Sequence, residues 1–185
     1  SAERTARAAL AAHAVARVFV DAPFRAIRGG LSNHAWRVDH DGRGYFVRLG
    51  GRGSKSLGVD RRSECHLLGA VSAARLAPEV LLCDPGADLL VTRLVSGETW
   101  TRQAARETVN LRRIGAALRI LHSLPPRPGI RRVCFAAQAR FLEDQLGAPG
   151  SAQAAVRRVA ANAFERLAGR EAMLALCHND LHHLN

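Results

Sequence analysis

The residues best suited to chemistry stand at the end of the chain, in Cys177-His-Asn-Asp-Leu-His-His-Leu-Asn185, where His178-x-Asp180 is followed five residues on by Asn185. A carboxylate and a carboxamide on one short loop suit phosphoryl transfer to a hydroxyl. The carboxylate orients the attacking hydroxyl and takes its proton, and the carboxamide oxygen holds a divalent cation against the phosphate oxygens. One rigid loop supplying both fixes their separation. The segment admits two other readings. His178, Asp180, His182 and His183 could form a metal cluster, although the helix-spaced His pair of a zincin is missing, or they could line a polar surface loop. Upstream features have to decide.

Gly29-Gly30-Leu31-Ser32-Asn33 lies between two expected strands, where backbone amides and small side chains can approach phosphates. Tyr45–Leu49 has strand composition, and its period-two alternation puts Phe46 and Arg48 on the face opposite Val47 and Leu49. Arg48 is placed to serve as a strand cation for nucleotide phosphates. Glu64 falls on the apolar stripe of the next helix with Leu67, Leu68 and Val71, and a carboxylate there calls for a cationic partner. Arg48 is the candidate; the alternative is a first-turn acid favoured by the helix dipole. Gly50-Gly-Arg-Gly-Ser-Lys-Ser56 looks like a P-loop, but Ser54 stands where the motif needs Gly, and the segment follows the third strand rather than the first. It is set aside as a nucleotide site.

The elements that must position these residues follow from periodicity and turn signals. A helix is expected over 3–18, ending near Asp21 and Pro23. Strands are expected over Phe24–Ile27, Ala35–His40 and Tyr45–Leu49, with Asp41-Gly42 as the hairpin turn and Gly50–Gly58 as a loop. Asp60 and Ser63 mark a helix start, and Pro78–Cys83 and Leu89–Val95 read as two more strands joined by Asp84-Pro85-Gly86. Beyond Ser96-Gly97 the pattern is helical. Leu111, Ile114, Leu118 and Leu121 form one stripe, and Val156, Val159, Ala160, Ala163 and Leu167 form another, with the loop Pro125–Gly129 between. The fold class is α+β, with a strand-rich half, a helical half and a cleft between them as the natural ligand site.

Composition narrows the partners. An apolar share of 48% with 23% charged residues is that of a globular chain, and Arg17 and Arg75 split the two most apolar runs, so no membrane span is expected. The net charge of +11 favours anions, and every basic residue except Lys55 is Arg. Yet the arginines are scattered in pairs, and the six Phe, two Trp and one Tyr are not interleaved with them, so nucleic acid is not the expected partner. Cys65, Cys83, Cys134 and Cys177 lie far apart without a Cys-x-x-Cys pair. They read as buried, reduced thiols, and a cytoplasmic location is expected in the absence of a secretory signal.

Taken together, Gly-Gly-Leu-Ser-Asn (29–33), Phe-Val-Arg-Leu (46–49), Arg-x2-Glu (61–64), Leu-Ala-Pro (76–78), Leu-Leu-Val-Thr-Arg-Leu-Val-Ser-Gly (89–97), Ile-Gly-x2-Leu-x3-Leu-His (114–122) and Cys-His-Asn-Asp-Leu (177–181) resemble the choline/ethanolamine kinase and aminoglycoside phosphotransferase superfamily, a branch of the protein-kinase-like fold. The resemblance implies a two-lobed fold with a nucleotide-binding lobe over 1–96 and a helical lobe over 97–185, incomplete at its end. It implies ATP and Mg2+ as cofactors, Asp180 as catalytic base, Asn185 as metal ligand, and Arg48 with Glu64 as the phosphate-binding pair. Ser32 and Asn33 would lie near the phosphates, backbone groups of Arg93 and Val95 would meet the adenine, and Phe46 would lie over its ring. His178 would position the loop. The wording His-Asn-Asp and the Gly-Gly-Leu-Ser-Asn loop lean toward choline or ethanolamine as acceptor, with thiamine, an aminoglycoside or a sugar as alternatives. The second acidic metal ligand of this fold follows the catalytic loop and is not in the sequence, so the 185-residue chain by itself is expected to be inactive, as a truncated kinase or a kinase-like binding module.

Overall fold

Asp41 and Gly42 both take positive φ angles, 49° and 70°. That is the pair a two-residue hairpin needs for its twist to match the strands it joins. In a computed structural model this turn connects β2 (Asn33–His40) to β3 (Arg43–Gly50), the longest antiparallel pair of a sheet that also holds β1 (Phe24–Ile27), β4 (Val80–Asp84) and β5 (Leu89–Arg93). The order across the sheet is β1-β2-β3-β5-β4, antiparallel throughout. The structure describes residues 1–27, 33–51, 59–134, 137, 140–141, 144, 150–167, 174–178 and 181.

Alternation sorts the sheet into two faces. Trp36, Val38, Tyr45, Val47, Leu49, Leu89 and Val91 turn to one face and form a core with Ala6 and Leu10 of α1 (Ala2–Ala11) and with Phe19. Phe19 is almost fully buried, its ring 4.6 Å from that of Tyr45. Arg48 stands between Val47 and Leu49 and so belongs to the other face, in one row with Ala35 on β2, Leu90 on β5 and Cys83 on β4. β5 is buried on both faces from Leu89 to Thr92, which explains its unbroken apolar run.

The helix expected over 3–18 is shorter in the structure. Backbone N–H groups of Ala12 and His13 bond only three residues back, and the chain then folds into a 3-10 turn over Arg17–Phe19. The reversal is held from both ends. Arg7 of α1 donates to the carbonyls of Val20 and Ala22, and His13 Nε2 lies 2.8 Å from Asp84 Oδ2. A straight helix would have carried Phe19 away from the core, so burial outweighed the local preference of an Ala-rich run.

α2 (Arg61–Ala73) starts where the sequence marks it. Asp60 is its N-cap, accepting a hydrogen bond from the Ser63 N–H at 3.0 Å. In the helical half, α3 (Thr108–Ser123) and α4 (Ser151–Leu167) form, but their stripes face outward among the described residues: Leu111, Val156 and Val159 are exposed. Ser1–Ile130 with Ala175–Asn185 make one compact unit and Arg131–Leu174 another. No helix among the described residues is long and apolar enough to cross a membrane.

The cysteines depart from expectation. Cys65 on α2 and Cys83 on β4 form a disulfide, with Cα atoms 5.7 Å apart, while Cys134 and Cys177 are exposed rather than buried. Sequence distance hid the pair, because only the sheet register brings β4 beside α2. Alkylation of the folded, unreduced protein should therefore modify two thiols, and four after reduction and unfolding, read by intact mass. Four modified residues without reductant would show that the bond does not form.

Candidate functional site

A carboxylate shielded from water is costly unless cations and hydrogen bonds replace its hydration. Glu64, in the first turn of α2, meets that requirement with two arginines. Arg48 of β3 grips it bidentately, Nη1 to Oε1 at 2.6 Å and Nη2 to Oε2 at 2.8 Å. Arg61, one turn earlier on α2, adds Nη1 to Oε2 at 3.0 Å. The side chains of Arg48 and Arg61 are only 13% and 11% exposed, so the bonds are sheltered from screening. Burial pushes the Glu64 carboxyl up, but the hydrogen bonds and charge of Arg48, and then of Arg61, outweigh it and hold the group below the usual carboxylate range. Glu64 is thus both the first-turn acid and the partner of Arg48 that its position on the stripe called for.

The cluster extends further. Arg61 Nη2 donates to Asn33 Oδ1 at 2.6 Å, and Arg61 Nε makes an ion pair with Asp88 Oδ1 at 2.5 Å. Asn33 opens β2 and pairs in register with Gly50 at the end of β3, whose N–H donates to the Asp88 carbonyl at 2.9 Å. Gly50 is required by this crowding, since a Cβ there would run into the Asp88 carboxylate. Arg48 Nε has no hydrogen-bond partner among the described residues.

The remaining expected residues divide plainly. Phe46 lies two positions before Arg48 on the same face of β3, half-buried, opposite Thr92 of β5. Arg93 ends β5, and both its backbone groups are engaged: its N–H donates to Glu79 O, and its carbonyl accepts from the Thr92 hydroxyl. Its guanidinium donates to Tyr45 Oη at 3.0 Å. Val95 lies beyond the strand, exposed, with no backbone hydrogen bond to the described residues. Ser32, Asp180 and Asn185 lie outside the described residues, as do Gly29–Leu31, Gly53–Ser56, His182 and His183. In the approach to the last motif Leu176 is buried, whereas Cys177 and His178 are exposed. Among the described residues no group of His, Cys, Asp or Glu could hold a metal ion. The arrangement also contains two residues that sequence reasoning left without a role, Arg61 and Asp88. The i,i+3 spacing of Arg61 and Glu64 was a usable signal for the first; nothing in the sequence marked the second.

A five-stranded antiparallel sheet whose third strand carries a cation paired to a glutamate of the next helix is the arrangement of a kinase-like α+β fold. The model of the phosphotransferase enzyme family matches residues 23–185, and the chain belongs to that family. Among solved structures, the choline/ethanolamine kinase family protein from Mesorhizobium loti is similar over 98% of this chain at 26% identity, with a TM-score of 0.72. The choline kinase LicA from Streptococcus pneumoniae is similar in fold over 85% of the chain at 20% identity, with a TM-score of 0.71, and LicA has also been solved in complex with AMP. The chain spans 59% and 56% of the length of these two structures. No curated protein matches it.

Because the folded Glu64 carboxyl titrates below its unfolded range, the stability it contributes is present above the ordinary carboxylate range and is lost as pH falls through the folded pKa. Glu64→Gln should cost about 2 kcal/mol at neutral pH, and the gap from wild type should close in acid, where the wild-type carboxyl is itself protonated. Urea unfolding of both proteins across the acid range checks this; a gap that stays constant with pH would remove the charge from the explanation.

Proposed function

We propose that this protein is an ATP-dependent small-molecule kinase that transfers the γ-phosphoryl group to an alcohol, with choline or ethanolamine as the acceptor. The observation that carries the reading is the sheltered, bidentate Arg48–Glu64 pair between β3 and α2, in a chain whose family model runs to its last residue. The likeness to a choline/ethanolamine kinase family protein supports the acceptor class, and the AMP complex of a neighbour supports a nucleotide.

In this reading Glu64 holds the Arg48 guanidinium in one orientation, so that its positive charge meets the nucleotide phosphates without reorganisation. Ser32 and Asn33 approach the same phosphates from the Gly-rich loop. Phe46 covers the adenine, and Val95 offers it free backbone groups, whereas those of Arg93 already have partners and hold the strand end in place. Asp180 orients the acceptor hydroxyl and takes its proton, and His178 positions the loop. The hard carboxamide oxygen of Asn185 suits Mg2+, which when bound neutralises charge on the phosphates. The nucleotide lobe over 1–96 lies wholly within the first compact unit, and 97–185 supplies the helical lobe with the catalytic loop at its end.

In the complete gene product, Asp180→Ala should lower transfer roughly a thousandfold while ATP affinity stays near wild type. Arg48→Ala should instead weaken ATP binding by about tenfold or more. Labelled ATP offered with choline, ethanolamine, thiamine, a sugar and an aminoglycoside reads the acceptor directly. Unchanged turnover in Asp180→Ala would sink the base assignment, and transfer to none of the acceptors would sink the kinase reading.

A further inference from the structure

Arg61 makes three contacts with one planar group, and each goes to a different element: Glu64 within α2, Asn33 at the start of β2, and Asp88 just before β5. Through the pairing of Asn33 with Gly50, and of Gly50 with Asp88, the end of β3 joins the same knot. Every nitrogen of the Arg61 guanidinium is thereby engaged, whereas Arg48 keeps Nε without a partner among the described residues. The two arginines beside Glu64 are therefore not equivalent. Arg48 has capacity left for a ligand, and Arg61 has none.

We infer that Arg61 is a positioning residue, which fixes the Asn33 end of the Gly-rich loop against the Arg48–Glu64 pair so that loop and cation address the same phosphate group. The inference rests on the nucleotide reading above and assigns a role to a residue outside the phosphate-binding set. Lysine could not substitute, because an ammonium group lacks the fixed fork that reaches three acceptors in different directions. The side-chain-free position at Gly50 belongs to the same device, since it makes the room that Asp88 occupies on its way to Arg61.

The test compares binding of ATP and of adenosine, which carries no phosphate, to the wild-type protein and to Arg61→Lys, Asn33→Ala and the double variant. Arg61→Lys is expected to weaken ATP about tenfold and leave adenosine within about twofold, because one charge-assisted contact is lost at the phosphate side only. Asn33→Ala, which leaves α2 and both arginines intact, should repeat that selective loss, and the double variant should lose little more than either single one. Equal loss of ATP and adenosine would mean that Arg61 merely supports the fold and would overturn the assignment, as would unchanged ATP affinity in Arg61→Lys or Asn33→Ala. Arg48→Ala separates the two levels: if it weakens ATP while Arg61→Lys does not, only this inference fails; if the wild type binds no ATP, both fail.

Discussion

The bidentate bond between Arg48 and Glu64 is the constraint around which the first half of the molecule is arranged. A half-buried carboxylate has to be matched by cations of fixed geometry, and a guanidinium fork that meets both oxygens leaves little freedom in the distance or tilt of the elements that carry them. α2 is thereby tied to the sheet at Arg48. The next residue along, Cys65, ties it again through the disulfide to Cys83, two strands away in the same row. Two successive helix positions thus hold α2 to the sheet, one by charge and one covalently.

The division of labour between the two faces of the sheet follows from the pleat. One face is apolar and packs on α1 and Phe19, which anchors β2, β3 and β5 as a rigid support. The other face carries Arg48, and the polar cluster is built there. Because adjacent residues of β3 point opposite ways, the apolar pair Val47 and Leu49 that secures the strand also aims Arg48 at α2. The geometry of the pair is inherited from the core behind it.

Some of this could be read from residues alone, where the cause is local. Asp41-Gly42 specifies a turn by its φ angles, Asp60 caps a helix by bonding three residues ahead, and alternation along Tyr45–Leu49 assigns Arg48 its face. In each case the reason spans a few residues. The long N-terminal helix failed as a reading because its end depends on Phe19 finding Tyr45 and on Arg7 reaching Val20 and Ala22. The cysteines failed for a similar reason: Cys65 and Cys83 are 18 residues apart, and only the pairing of β4 with β5 brings them together. The stripes of α3 and α4 were legible as periodicity, while what they pack against is not a property of the helix itself.

Residue order thus determined the elements, the face on which each functional side chain stands, and the chemical types set aside for phosphate, base and metal. Tertiary structure decided which of those side chains meet. Arg61 illustrates the difference: its spacing from Glu64 is written in the chain, but its contacts with Asn33 and Asp88 exist only because three strand ends converge on the start of α2. Local hydrogen bonding and side-chain periodicity act over one turn or one pleat, whereas a charged group buried among distant segments is satisfied only after the sheet has closed around it.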